Sequence, residues 1–149
     1  LARELKAAGK TKYIGLTHYR DAAQAELAEL MRQEKPDFVQ INYSVAAPLA
    51  ATTIFPVARD LGIAVIVNRA FDDGRLFARS KDMPLPGWGA EIGATSWAQL
   101  FLRFAISDPA VTVVIPATGK PQRQADNLKG GGGPLLSASQ QAELIALFG

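Results

Sequence analysis

The residues best suited to bind a ligand lie in TGKPQRQADN, residues 118–127, two residues after the apolar run VTVVI. A helix that begins near Pro121 would present free backbone N–H groups and the positive end of its dipole, which together favour a phosphate. Arg123 adds a guanidinium group that can donate two parallel hydrogen bonds to phosphate oxygens. The segment therefore predicts an anion site. The alternative is a solvated i,i+3 ion pair between Arg123 and Asp126 on a surface helix.

Strand and helix patterns alternate along the rest of the chain. Apolar and β-branched runs predict four strands, at Lys12–Thr17, Asp37–Tyr43, Ile63–Asn68 and Val111–Ile115. Helical spacing predicts helices at Leu1–Gly9, Asp21–Glu34, Thr53–Leu61 and Trp97–Ser107, and a last short helix that ends at Phe148. Near-continuous apolar strands favour a parallel sheet covered by helices. The fold class is therefore α/β, either an open doubly wound sheet or part of a closed (β/α)8 barrel.

In both architectures ligands gather where the strands end. The polar residues at those positions are Thr17 and His18, Gln40, Asn42 and Tyr43, Asn68 and Arg69, and residues 118–127. The segment from Arg69 to Thr95 is too long for a plain connection in a compact domain, so we expect a functional loop there. Its adjacent Asp72 and Asp73 precede a glycine and are more typical of turn formers than of metal ligands.

Composition excludes several classes of function. The chain has no cysteine and one histidine, which rules out thiolate catalysis, disulfides and a histidine-based metal cluster. A net charge of +2 with interspersed signs does not favour nucleic acid. No apolar run approaches the roughly 18 residues that span a bilayer, and no targeting segment is visible. We expect one domain over residues 1–149, cytoplasmic by default, although a signal on a missing amino-terminal segment would be invisible.

Four segments carry a resemblance to a known family. GKTKYIGLTHY, DFVQINYS, GIAVIVNRAF and SWAQLFLRFAISDPAVTVVIPATGKPQRQADNL, in this order, resemble the C-terminal half of the aldo-keto reductases. The resemblance covers essentially the whole chain, and VIPAT followed by ADN is its most specific part. It implies half of a TIM-type (β/α)8 barrel, comprising strands five to eight and the closing helices. Length agrees, because a full barrel needs about 250 residues and this chain has 149.

The resemblance implies that the turn after the fourth strand grips the 2'-phosphate of NADPH. Thr118 and Arg123 match the family's phosphate contacts, and Lys120 could supplement the charge. Asp126 and Asn127 match an acidic-Asn pair that hydrogen-bonds the adenine.

Other strand ends match the nicotinamide end of the same cofactor. Gln40 matches a glutamine that holds the carboxamide, and Thr17 and His18 stand where the family commonly has Ser-Asn. Asn68 stands where many members place a tyrosine that stacks on the ring, and Arg69 is implied to point toward the pyrophosphate or the substrate mouth. The alternatives are structural: a hydrogen bond from Gln40 to barrel backbone, a helix cap by His18 and a salt bridge by Arg69.

The family's catalytic tyrosine, lysine, aspartate and histidine are implied to lie on the first half of the barrel, and none can be placed on this chain. No catalytic or metal-binding residue is therefore assigned. We expect the NADPH-binding half of an oxidoreductase that reduces aldehydes or ketones by hydride transfer, with this chain alone inactive.

The sequence begins inside a helix pattern, so we expect a truncation whose partners are a small carbonyl substrate and the missing amino-terminal half, or a second copy through exposed sheet edges. One alternative is a non-catalytic nucleotide-binding or protein-interaction module of reductase-like fold. Another is an unrelated open α/β domain.

Overall fold

The computed structural model describes all residues from Leu1 to Gly149. The four strands are β1 (Gly15–Thr17), β2 (Phe38–Asn42), β3 (Ala64–Asn68) and β4 (Val111–Val114). The eight α-helices are α1 (Ala2–Ala7), α2 (Gln24–Glu34), α3 (Ala50–Thr53), α4 (Phe55–Leu61), α5 (Arg75–Arg79), α6 (Trp97–Ile106), α7 (Pro121–Gly130) and α8 (Ala138–Phe148). Short 3-10 turns lie at Asp21–Ala23, Asp72–Gly74 and Gly87–Gly89.

The four strands form one parallel sheet in the order β1-β2-β3-β4, which confirms the predicted α/β class. Chain order equals sheet order, as it does in a (β/α)8 barrel. A doubly wound sheet would reverse direction at a switch point and carry helices on both faces. The doubly wound alternative is therefore wrong.

Only one face of the sheet is covered by helices. Val39, Ile41, Val65 and Val67 alternate along β2 and β3 and are fully buried on that face. The residues between them, such as Gln40 and Ile66, are half-buried and share the other face. That open face continues onto β4 at Val113, which is 43% exposed, and beyond it at Ile115, which is 47% exposed.

Element boundaries differ from the predictions where local geometry breaks the pattern. β1 is only three residues long. The helix predicted at Thr53–Leu61 is split into α3 and α4 around Ile54, and Gly62 ends α4 in the left-handed conformation with φ of +66°. The long segment after β3 contains α5, which carries no amphipathic pattern long enough to predict it.

A bulge lies between β3 and β4. The register shifts between Val65 and Ile66, and the Val65 N–H donates to the Thr112 hydroxyl oxygen at 3.1 Å instead of to a backbone carbonyl. The side chain of Thr112 thus replaces a missing ladder acceptor, as bulges require some local partner for the displaced group.

Asp37 joins the first helix to the sheet. Its carboxylate accepts hydrogen bonds from the Lys6 ammonium, at 2.5 and 2.7 Å, and from the Ile14 N–H at 2.9 Å. These two donors, Lys6 above all, hold the pKa of Asp37 below its usual value.

We expect Asp37→Asn to destabilise the chain at pH 7 but not in acid. The folded pKa is depressed, so the stabilisation is complete above the unfolded pKa of about 4 and is lost as pH falls through the lower folded value. Urea denaturation between pH 3 and 7 measures the difference between the two proteins. A gap that stays constant as pH falls would show that the charge is not its source.

Candidate functional site

A cleft of about 450 Å³ lies between the loop after β3, the start of α6 and the start of α7. We call it the α7 cleft. Four of the residues predicted from the sequence line it together: Thr118, Arg123, Asp126 and Asn127. Lys120 is not among its lining residues.

The start of α7 contributes Thr118, in the turn before the helix, and Arg123, in its first turn, to this cleft. Pro121 is the first helical residue, as predicted, and no side chain caps the helix. The Lys120 N–H donates to the Thr118 hydroxyl oxygen at 3.3 Å, which fixes the turn before the helix. Pro121 has no N–H group and the Gln124 N–H donates to the Lys120 carbonyl, so the N–H groups of Gln122 and Arg123 are the ones without an intrahelical partner. The helix dipole makes that end positive.

Arg123 has no carboxylate partner. The ion pair with Asp126, which was the structural alternative, does not form. Both oxygens of Asp126 are held from α6 instead: one accepts from the Ser96 hydroxyl at 2.7 Å, the other from the Gln99 side-chain amide at 2.5 Å. The guanidinium group of Arg123 is therefore left without an ion-pair partner in the cleft.

Ser96 and Gln99 have the spacing of a capping box, but Gln99 does not complete one. The Ser96 hydroxyl does accept the Gln99 N–H at 3.2 Å, but the Gln99 carboxamide oxygen accepts from Thr95 N–H at 3.0 Å. Its amide then points to Asp126. The spacing Ser137/Gln140, by contrast, forms a complete capping box at the start of α8.

Sequence reasoning missed the cleft residues contributed by the long loop. Phe71, Phe77, Ser80 and Lys81 all line the α7 cleft. Lys81 is exposed and has no acidic partner within ion-pair distance. Only the length of the segment between Arg69 and Thr95 pointed to this contribution.

The far end of α7 is fixed by a buried arginine on α6. Arg103 is 2% exposed and donates to the carbonyl oxygens of Ile92, Lys129, Gly130 and Gly132. α7 also approaches α6 closely, because a Cβ at Gly130 would lie 3.1 Å from Leu102 Cβ and 3.3 Å from the Gln99 backbone. Both contacts set the position of the helix that carries Arg123.

The residues predicted for the nicotinamide end surround the carboxyl ends of β1, β2 and β3. Thr17 and Gln40 are register partners on the open face, and the Gln40 amide makes no hydrogen bond, so the alternative bond to barrel backbone is absent. His18 accepts the Arg20 N–H through Nδ1 at 3.1 Å, a local turn-capping bond. Asn68 donates to the His18 carbonyl at 3.2 Å. These residues lie together, but outside the α7 cleft.

Arg69 lies in another cleft beside the ring of Tyr19, with its guanidinium carbon 4.3 Å from the ring centroid. Its Nε approaches Asp73 Oδ1 at 3.3 Å, so a salt bridge of the kind considered as its alternative does form.

Two aromatic residues, Tyr43 and Trp97, pack against other rings. Tyr43 is buried between Phe55 and Phe104, and burial raises the pKa of its hydroxyl above the usual value. Trp97 stacks on Phe101 at 5.6 Å but also borders the α7 cleft.

No three His, Cys, Asp or Glu side chains cluster in a way that could hold a metal ion. No helix combines the length and hydropathy needed to cross a membrane.

A sequence profile of the Aldo/keto reductase family matches residues 2–146. No curated protein matches the chain. Among solved structures it is similar to aldo-keto reductase AKR11C1 from Bacillus halodurans. For the holo form the identity is 18% and the TM-score 0.73, over 97% of this chain and 53% of that chain. For the apo form the values are 15% and 0.75, over 97% and 54%. The chain thus shares their fold and spans about half of their length.

Proposed function

This chain belongs to the aldo-keto reductase family, and from that premise we propose that it is the NADPH-binding half of an oxidoreductase that reduces aldehydes or ketones. The observation that carries the proposal is the α7 cleft, where an unpaired arginine and an uncapped helix start meet. Both groups suit a phosphate, and Asp126 is held by Ser96 and Gln99 rather than by Arg123, so the guanidinium group is free to bind it.

The α7 cleft would hold the adenosine 2'-phosphate. Arg123 would donate to it bidentately, and Thr118 would add a hydroxyl donor from the turn. Asp126 keeps free lone pairs beyond those used by Ser96 and Gln99, so it can accept from an adenine amino group beside Asn127. The α6 donors fix the orientation of that carboxylate before a ligand enters.

The nicotinamide would lie over the open face of the sheet. The unpaired Gln40 amide and the exposed Thr17 hydroxyl are side chains able to hold a carboxamide there. When bound, NADPH supplies the hydride, while the chain's own contribution is to bind and orient it. The acid that stabilises the developing alkoxide would come from outside this chain.

We also propose that the remaining half of the barrel covers the open face. β1 and β4 each have one edge without a strand partner, and Val113 and Ile115 expose apolar surface between them. Unpaired parallel edges readily accept another strand. Without that half, a second copy of the chain would be the partner of these edges.

The test is a titration of the purified chain with NADPH and with NADH, followed by quenching of tryptophan emission, since Trp97 borders the cleft. Saturable binding that prefers NADPH supports a 2'-phosphate site. Equal affinity for both cofactors, or no binding to a folded chain, contradicts it. Carbonyl reduction by the intact barrel then separates the enzyme from a non-catalytic nucleotide-binding module.

Lys81 and Lys120 offer a matched pair of variants. We expect Lys81→Ala to weaken NADPH binding about fivefold, the effect of losing about 1 kcal/mol from a charged hydrogen bond at a partly exposed site. Lys120→Ala should change it less than twofold, because Lys120 does not line the cleft. The same titration measures both. A larger loss for Lys120→Ala than for Lys81→Ala would show that the cofactor phosphate lies elsewhere.

A further inference from the structure

Resting on the proposed function, we infer that Gln99 is a positioning residue that makes the α7 cleft select a base with an exocyclic amino group, as in adenine. Gln99 lies on α6, is 1% exposed and does not line the cleft. It acts through Asp126, which does line the cleft and accepts the Gln99 amide. Recognition of the base is thus separate from the phosphate contact of Arg123.

Three hydrogen bonds fix the carboxamide of Gln99. Its oxygen accepts the Thr95 N–H at 3.0 Å. Its nitrogen donates to the Thr95 hydroxyl at 3.0 Å and to Asp126 Oδ1 at 2.5 Å. Both amide hydrogens are therefore used, and a flipped amide would leave the Thr95 N–H without an acceptor. The donor that reaches Asp126 is set before a ligand enters.

Gln99 makes this contact instead of a local one. A glutamine at the third position of a helix can accept the N–H of the N-cap residue, as Gln140 does for Ser137 at the start of α8. Gln99 stands at the same spacing from Ser96, whose hydroxyl accepts its backbone N–H at 3.2 Å. α6 therefore forgoes half of a capping box for a contact with α7, which capping α6 alone does not require.

The donors from α6 hold the Asp126 carboxylate by both oxygens. Gln99 binds one oxygen, and the Ser96 hydroxyl donates to the other at 2.7 Å. Each oxygen keeps a further lone pair for a ligand, and because a carboxylate can only accept, the ligand must present a donor there. The 6-amino group of adenine is such a donor. The 6-oxo group of hypoxanthine presents only lone pairs to the negative charge.

The rest of the cleft suits a flat base. Phe71, Phe77 and Trp97 line it, and Phe77 is 41% exposed. Aromatic faces stack on any base, so selection among bases must come from the polar groups. Asn127 lies beside Asp126 in the lining and can donate to ring nitrogen N7. The pair would then read the purine edge on which hypoxanthine has two acceptors and adenine has a donor and an acceptor.

The test is a fluorescence titration of the purified chain with NADPH, NADH and the analogues of both in which hypoxanthine replaces adenine. Each adenine cofactor should bind about tenfold tighter than its analogue, the effect of one hydrogen bond to a charged group. Gln99→Met keeps the length of the side chain and removes its donors, so the carboxylate can turn away from the base. We expect the base preference to fall to about twofold or less in this variant.

The phosphate preference is the readout that Gln99 should not move. A released Asp126 can pair with Arg123, but an exposed i,i+3 pair is weak, so the ratio of NADPH to NADH affinity should stay within about twofold of wild type. Ser96→Gly removes the other donor to Asp126 while keeping a residue that is tolerated at the N-cap. It should lower the base preference at least about threefold, and it decides the question if Gln99→Met does not fold.

Gln24→Met is the matched control. Gln24 is also a buried glutamine, 0% exposed, and its amide donates to Asp21 at 3.1 Å on the far side of the chain from the α7 cleft lining. This variant should lose stability in urea denaturation and keep the base preference of the wild type. A loss of base preference as large as in Gln99→Met would show a general effect of weakened packing and would overturn the role of Gln99.

Two further results would overturn it while leaving the proposed function in place. One is equal affinity of the wild type for the adenine and hypoxanthine ligands, with NADPH still preferred over NADH. The other is a folded Gln99→Met chain in which the affinities for both bases fall by the same factor. The proposed function fails differently, through equal affinity for NADPH and NADH, and the base preference can then still be measured with NADH and its analogue. No binding of any of the four ligands to the folded chain would overturn both.

Discussion

Replacing Arg103 with methionine should lower the free energy of unfolding by about 3–5 kcal/mol, a loss typical of breaking a buried charged network. The guanidinium group is 2% exposed and supplies four carbonyl oxygens with donors, three of them at the end of α7. Methionine fills similar space but leaves those acceptors unsatisfied, and each costs about 1–3 kcal/mol when truly buried. Burial also lowers the pKa of Arg103 from its usual value, yet the group stays charged near neutrality.

Urea denaturation of both proteins, followed by circular dichroism, measures this loss. Arg59→Met is the control, since Arg59 is half-exposed and contacts Asp108 only at 3.7 Å. It should cost less than about 1 kcal/mol. Equal losses in the two variants would mean that the carbonyl cluster does not depend on Arg103.

The sequence contained a clue to this arginine. In LFLRFAI a lone charge stands among apolar residues that cover every side of the helix. A helix that is apolar all round is buried all round, so the pattern indicates that Arg103 is buried too. Its partners were not predictable, because Lys129, Gly130 and Gly132 contribute only backbone carbonyl groups. Every residue has a backbone carbonyl group, so the sequence does not tell which of them accept hydrogen bonds from a side chain.

The sheet was predictable and the long loop was not. Apolar and β-branched runs located all four strands, because parallel strands covered by helices are rich in Val, Ile and Leu. In the loop after β3, tertiary contacts decide the structure. Asp72 and Asp73 take left-handed conformations, with φ of +48° and +54°, and are held there by Arg75 and Arg69. Those pairings cannot be ranked from sequence spacing.

The candidate site shows the same division. The turn Thr118–Asn127 was predicted because proline, glycine and the charge of Arg123 have local meanings at a helix start. The hydrogen bonds of Asp126 with Ser96 and Gln99 could not be predicted, because these residues lie 30 and 27 positions away in the sequence. Yet these hydrogen bonds decide which groups of the cleft are free: Asp126 is held by the two α6 donors and does not pair with Arg123.

Arg123→Ala should therefore lower NADPH affinity about 10- to 100-fold while leaving NADH affinity within about twofold, since a charged bidentate contact contributes about 1.5–3 kcal/mol. NADH lacks the 2'-phosphate, so it reports on any damage to the rest of the site. The same fluorescence titration, run with both cofactors on both proteins, measures the ratio.

Arg123→Lys distinguishes charge from geometry in that experiment. Lysine keeps the positive charge but cannot form the two parallel hydrogen bonds of a guanidinium group, so we expect partial recovery of the NADPH preference. Gln122→Ala, the neighbouring exposed position on α7, is the control and should leave both affinities unchanged. If Arg123→Ala weakened NADPH and NADH equally, the residue would act on the shape of the helix start. The 2'-phosphate would then have to be bound by another part of the chain.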